Sequence, residues 1–396
     1  MWPGTEASAT GAGTSVTGAG TSVTGISDES AKASKGASPR NYFASLPEYL
    51  VMEGIAKTAG EAGAIELIEA DRPEPGPEEA LVEVAYAGIC GSDLGIYTFK
   101  SAFEFMEFPR IVGHEYSGTV VETGEDVSRV SVGDRVVEEP IRACGECHHC
   151  RSGHANLCVD ARITGIHHDG AFTRYVAVPE DHLHHLPDDV SLAQASILEP
   201  TSVAARAVQR LSRVSAGDEV LVEGPGPIGL LTAQIADVQG GNVLVTGVDQ
   251  DATVRLPMAE ELGFDTCNVG TESLDAAMTA RTDGLGFDVT LDTTGHPSGL
   301  ETAVEVTKKG GQVMVVGLGG PTELDYADLL RAELDLQCSY ASDWGDFERA
   351  IRLVRDDDVE TEAMVDTRFS LADADDAFRA ALDADTVKVR FEVAGE

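Results

Sequence analysis

The order of apolar and polar positions divides the chain into distinct textures. Residues 1–50 show no periodicity; Ala, Ser, Gly and Thr dominate, and 11–17 (GAGTSVT) recurs identically at 18–24. Such a tract buries too little apolar surface to offset its ordering entropy, so residues 1–50 are expected to be disordered. Patterning starts near Met52, which is also the expected start of translation. A Pro/Gly turn over 73–77 precedes an alternating strand over 80–87, with shorter strands predicted over 117–121 and 133–137. At Asp218 the texture becomes strand, Gly-rich turn and helix, over 219–222, 224–229 and 230–238. Further strands are predicted over 242–248, 288–291 and 312–316, then a helix over 347–354 and a strand over 387–393. Strands alternating with helices require a parallel sheet with crossover helices. The expected class is α/β: a β-rich domain over 51–200 and 341–396, interrupted by a dinucleotide-binding domain over 201–340.

Charge changes the list of partners. With 28 basic and 68 acidic residues the formal net charge is −40. Nucleic acid and anionic membrane surfaces repel such a chain, so neither is an expected partner. Abundant carboxylates with scarce lysine resemble the proteins of salt-accumulating halophiles, where heavy screening offsets self-repulsion. No apolar run reaches the roughly 18 residues of a membrane span, and no basic-then-apolar leader opens the chain. Seven cysteines, four of them between Cys144 and Cys158, suit a metal site in a reducing cytoplasm.

Three constellations carry chemistry. Gly224-Pro225-Gly226-Pro227-Ile228-Gly229 is a G-x-G-x-x-G between a strand and an apolar helix, with Asp249 following 20 residues after its last glycine. Gly224, Gly226, Pro227, Ile228 and Gly229 would cradle a pyrophosphate at a helix N-terminus, and Asp249 would accept from the adenosine ribose hydroxyls. Asp249, with no arginine directly after it, favours NAD over NADP; Arg255 is placed on the exposed face of the next helix. Cys144, Cys147, Cys150 and Cys158 have the spacing of a closed, structural zinc site. His148, His149 and His154 on that loop read as solvated. Cys90 in GICGSD, His114 and Glu115 in GHEY, and Glu199 in ILEP offer S, N and O donors for a second, open zinc site. Ser92 is the candidate proton-relay hydroxyl. His167, His168, His182, His184 and His185 read as strand-edge or surface residues, Cys267 and Cys338 as core thiols, and 356–358 as solvated acids.

Together these motifs resemble the zinc-containing medium-chain dehydrogenases/reductases over residues 52 to 396. The resemblance implies a GroES-like catalytic domain split by a Rossmann domain, two Zn²⁺ per chain, NAD(P)-linked alcohol oxidation, and a homo-oligomer, tetramer or dimer. Glu199 followed by Pro-Thr-Ser-Val is similar to the polyol (sorbitol-type) branch, whereas GIY at 95–97 and GHEY at 113–116 are nearer to threonine 3-dehydrogenases. Cys90 and His114 would then be fixed ligands, and Glu115 and Glu199 ligands or partners of zinc-bound water. Both branches usually carry a histidine where this chain has Gly95, and animal sorbitol dehydrogenases an Arg-Tyr pair where it has Ser339-Tyr340. The expected substrate is a secondary alcohol such as a polyol or sugar, with a hydroxy-amino acid as the alternative. The reading from another class is a non-catalytic, zinc-stabilised dinucleotide-binding module; an open metal site argues against it.

Overall fold

The computed structural model describes residues 51–395, and the expectation for residues 1–50 falls outside them. The alternating run becomes β1 (Glu79–Gly88), an interior strand of a seven-stranded sheet. It pairs antiparallel with β2 (Glu115–Thr123) and with Tyr175–Pro179. Their inward side chains close a core around Ile55, Val82, Tyr116, Phe172, Phe378 and Phe391. Phe172 sits edge-on to Phe391, with ring centroids 4.9 Å apart. The same ring lies over Gly113, where a Cβ would come within 2.3 Å of it and φ is +94°. Only glycine fits there, and that close approach delivers the following His114 inside the domain. At the end of β1 the chain turns at Cys90 into α1 (Gly91–Tyr97).

After α2 (Leu198–Ala205) the chain enters the parallel sheet. Its strands are β3 (Glu219–Glu223), β4 (Asn242–Gly247), β5 (Asp265–Asn268), β6 (Phe287–Asp292), β7 (Thr307–Val315) and β8 (Asp335–Cys338). They lie in the order β5-β4-β3-β6-β7-β8, all parallel, so the direction of winding reverses between β3 and β6. A ligand crevice forms beyond the strand ends at such a reversal. The helix expected from Leu230 starts earlier, as α3 (Pro227–Val238), with Pro227 in its first turn. Proline is suited to that position because its missing N–H has no helical partner to lose. The second half of the Gly-rich motif is therefore helix N-terminus rather than loop.

α4 (Trp344–Arg355) places Phe347, Ala350, Ile351 and Val354 in one core with Leu198, Ala205, Val220 and Leu230, and with Ala85 and Val137 of the first sheet. Its first turn is held by Asp343 and Asp346, which pair with Arg206 and Arg210; the Arg206–Asp346 contact is 2.9 Å. β9 (Val389–Glu392) rejoins the first sheet, antiparallel to β1 with Arg390 opposite Gly88, and pairs in parallel with the short strand Thr367–Phe369. Cys267 is buried as expected. Cys338 is exposed, because β8 is the outer strand of its sheet. Among the described residues no helix is long and apolar enough to cross a membrane.

His184, expected at a surface or strand edge, lies on the outermost strand of the first sheet but is buried. It stacks on Trp344 at 3.6 Å and on Phe347 at 5.0 Å, with Nδ1 3.0 Å from Glu348. Burial lowers its pKa from the usual 6.5 to about 4 against the pull of Glu348. A histidine depressed in the folded state contributes stability that is fully present above pH 6.5 and lost as pH falls through 4. This loss is expected to reach about 3 kcal/mol. Chemical denaturation between pH 7 and 4 should show His184→Phe, which keeps the stack, with a correspondingly shallower acid limb.

Candidate metal centres and dinucleotide cleft

Within the lobe, Gly145 and Gly153 adopt φ of +72° and +77° and turn the backbone so that four thiols face one another. All four sulfurs lie within 4.8 Å of one another, a grouping of donors not repeated by His, Cys, Asp or Glu elsewhere among the described residues. The Sγ separations are 3.5 Å for Cys147–Cys150 and 4.0 Å for Cys144–Cys150 and Cys147–Cys158. A tetrahedron with Zn–S bonds of about 2.3 Å has edges of about 3.8 Å, so the cage fits zinc. Backbone N–H groups of Cys144 and Asp160 donate to Cys158 Sγ at 3.2 and 3.4 Å. Donation from the amides of Cys150 and Val159 lowers the Cys147 pKa to about 6, whereas burial and the neighbouring sulfurs push Cys150 up to about 12. Such an array ionises completely only around a cation. His148 and His154 are exposed, and His149 is partly buried.

The second donor set gathers at the junction of β1, α1 and β2. Cys90 caps α1, and its N–H donates to Asp93 Oδ2 at 2.9 Å. Asp93 Oδ1 faces His114 Nδ1 at 3.7 Å, with both groups buried. A carboxylate behind one ring nitrogen sets the tautomer and presents the other as a ligand. Here the other nitrogen, Nε2, lies 3.3 Å from Ser92 Oγ. Burial raises the Cys90 thiol, and Glu115 adds to that rise. Burial alone would lower His114, but Asp93 and Cys90 raise it well above its ordinary range. Burial, with Glu115 adding, raises Glu199 in the first turn of α2 to about 7. One imidazole and three acids thus share a pocket short of positive charge, which is the donor chemistry a divalent cation fits.

Glu115 points elsewhere. Its carboxylate forms a buried ion pair with Lys388, whose ammonium also donates to the Ile89 carbonyl at 2.9 Å. Lys388 was missed by the sequence reading; a lone lysine in the last strand carries no motif, and its partners lie far away in the chain. The space that a residue larger than glycine at 95 would need is filled by Phe103, 2.6 Å from where a Cβ would be.

At the cleft, Gly224 has φ +95°, and a Cβ on Gly229 would lie 1.8 Å from Gly224 O. Both glycines are required for the turn to close onto the start of α3. Asp249 does not end β4, which stops at Gly247; it opens a short 3₁₀ turn and is exposed. Arg255 is half-buried rather than exposed. It donates to the Thr386 carbonyl at 2.9 Å and pairs with Asp251 at 3.4 Å.

Comparisons with known proteins agree with this geometry. Residues 76–188 match the alcohol dehydrogenase GroES-like domain, and 227–356 match the zinc-binding dehydrogenase family. A sorbitol dehydrogenase of Halalkalibacterium halodurans is 34% identical over 85% of this chain and 98% of its own. An L-threonine 3-dehydrogenase of Shewanella woodyi is 34% identical over 70% of this chain and 81% of its own. A provisionally assigned zinc-binding dehydrogenase from Sinorhizobium meliloti, solved with NADP, superposes with a TM-score of 0.80 at 31% identity, covering 86% of this chain and 99% of that one. The fold and the two domain matches define a zinc-type, NAD(P)-linked alcohol oxidoreductase. The chain belongs to the zinc-containing medium-chain dehydrogenase/reductase family.

Removing one partner of a buried ion pair strands the other charge, at a cost of about 3–5 kcal/mol. Lys388→Ala should lower stability by this amount in chemical denaturation. Adding Glu115→Gln should recover a substantial part, and a double-mutant cycle would measure the recovery.

Proposed function

We propose that this dehydrogenase oxidises a secondary hydroxyl of a polyol, sugar or related compound, with NAD as the preferred acceptor. The observation that carries this reading is the convergence of Cys90, His114 and Glu199 on one pocket, with Asp93 orienting the imidazole. Zinc held by these three side chains supplies Lewis acidity to the substrate hydroxyl, and NAD held on the 224–229 turn supplies the hydride acceptor. Asp93 keeps His114 Nε2 turned toward the pocket. Ser92 Oγ, partly exposed beside that nitrogen, takes the hydroxyl proton and passes it to water. Gly95 offers no imidazole for this step, and the Phe103 ring makes the adjoining wall apolar. Glu115, tied to Lys388, supports the metal pocket from behind and becomes a ligand only by releasing that pair.

The four-cysteine lobe is assigned a second, structural zinc, since four protein ligands leave no open position. A homo-oligomer, dimer or tetramer, is supported by the open edge of β8 and by exposed Leu318, Tyr326 and Leu330. The thiol-rich lobe supports a reducing, cytoplasmic setting. Oxidation of a hydroxy-amino acid is the second reading, supported by the threonine 3-dehydrogenase relative.

A screen for reduced-cofactor absorbance against polyols, aldoses, sugar acids, diols and threonine, in molar KCl, tests the proposal. Turnover of a polyol or sugar is expected; turnover of threonine alone would replace it with the second reading. Cys90→Ser should abolish turnover with the fold intact, whereas Cys147→Ser should lose one zinc per chain and lower the Tm. Retention of both metals and the Tm in Cys147→Ser would refute the lobe's assignment.

Cofactor preference follows from Asp249. It is exposed at the cleft, and the cation nearest it in sequence, Arg255, is committed to Thr386 and Asp251. A 2′-phosphate placed beside that carboxylate meets like charge without a compensating guanidinium. Asp249→Ala should lower kcat/KM for NAD by about 10- to 100-fold, the value of one or two hydrogen bonds to a charged group. NADP should gain in relative terms; a wild type that prefers NADP would overturn the assignment.

A further inference from the structure

Apart from the metal pocket and the dinucleotide cleft, a cavity of about 630 Å³ opens between the four-cysteine lobe and the first turn of α4. Ala155 of the lobe lines one side and Asp343 the other, with Glu139, Asp181, His182 and Arg210 between them. Glu139 sets its character. The residue is 5% exposed, and its backbone is paired with His182 through N–H to carbonyl at 2.8 Å. Among the described residues its carboxylate has neither a hydrogen bond nor an ion pair. A carboxylate buried to this degree is costly to ionise when it faces only the cavity and no partner of its own.

The neighbouring cations are already committed. Arg206 and Arg210 serve Asp343 and Asp346, and Arg349 donates to Asp346 at 3.1 Å. Arg142 serves Glu138 on the adjoining strand at 3.5 Å. His182 directs Nδ1 at the Glu139 carbonyl, 3.2 Å away, and Nε2 toward Asp181 at 3.8 Å. Around the cavity three guanidinium groups therefore face four carboxylates: Glu139, Asp181, Asp343 and Asp346. With Glu139 ionised, one negative charge is in excess, and it belongs to the group with no partner.

We propose that this cavity binds a monovalent cation, K⁺ or a small alkylammonium, seated on the Glu139 carboxylate with Asp181 at its mouth. A single carboxylate without a partner matches one positive charge, so the cavity suits a monovalent rather than a divalent ion. A cavity of this size accepts a cation together with its water or its alkyl body. Burial raises the Glu139 carboxyl to about 8, and Asp343, Asp346, Asp181 and Glu138 add to the rise. At neutral pH the vacant cavity thus holds a proton that a cation must displace. Binding releases roughly one proton per chain at pH 7 and strengthens as pH rises from 6 to 9. The bound charge would join the lobe to α4, a junction otherwise held by Asn156 donating to the Tyr340 carbonyl at 2.8 Å.

The experiment compares thermal unfolding and proton release of the full chain in KCl, methylammonium chloride and tetramethylammonium chloride at one ionic strength. Tetramethylammonium donates no hydrogen bond and keeps its charge behind methyl groups, so it reports screening alone. A higher Tm in K⁺ identifies an inorganic ion as the occupant; a higher Tm in methylammonium alone identifies an amine. In either case the increment should grow from pH 6 to pH 9 and vanish in Glu139→Gln, which keeps the shape and removes the charge. Equal Tm in all three salts, or an increment that persists in Glu139→Gln, overturns the proposal. Should that variant fail to fold, wild-type chain that releases no proton at pH 7 on adding K⁺ or methylammonium overturns it as well.

Discussion

The ammonium of Lys388 holds together segments that the chain keeps far apart. It reaches the carbonyl of Ile89, 299 residues earlier, and the carboxylate of Glu115, so it abuts the neighbours of both Cys90 and His114. This contact exists only because β9 pairs with β1, placing Arg390 opposite Gly88. A buried charge pair stabilises little by itself, but it tolerates no misplacement, because either group left alone is strongly destabilising. The geometry of the candidate metal pocket is thereby coupled to β9.

The same economy of cations recurs elsewhere. In a chain with 28 basic and 68 acidic residues, most acids must remain in water. Several of the arginines and lysines that enter the interior pair there with carboxylates, as Arg206 does with Asp346 at the start of α4, whereas Lys57 donates to the Tyr97 carbonyl. Where the supply runs out, carboxyls hold protons instead. Glu223 lies beside Asp292 across β3 and β6, and burial followed by Asp292 raises it to about 9. Metal pocket, lobe and lobe-side cavity share this condition: each gathers more acidic groups than its own cations satisfy.

The dinucleotide side obeys a different constraint, steric rather than electrostatic. Gly229 must pass 1.8 Å (as measured from an added Cβ) from Gly224 O, so the turn closes onto α3 only with hydrogen in place of a side chain. α3 is buried from Gly229 to Ala236, between the sheet and the helices packed upon it. That burial explains why its sequence is apolar on all faces rather than along one stripe.

Much of this was legible in the sequence where the determining forces are local. Alternation marked β1, strand–glycine–helix texture marked the dinucleotide side, and Cys144, Cys147, Cys150 and Cys158 marked the lobe, because a short loop can close a cage without help from the rest of the chain. Donor types at Cys90, His114 and Glu199 could be recognised one by one, but not the ion pair that turns Glu115 toward Lys388. Neither could the burial of His184 between Trp344 and Glu348, nor the packing of α4 against residues of both sheets, be read from residue order. Sequence by itself determined periodicity, turn chemistry and the kinds of ligand available. Tertiary structure alone decided which charges meet and which remain unpaired, because electrostatic partnership depends on distance and burial, and both are created only when remote segments pack.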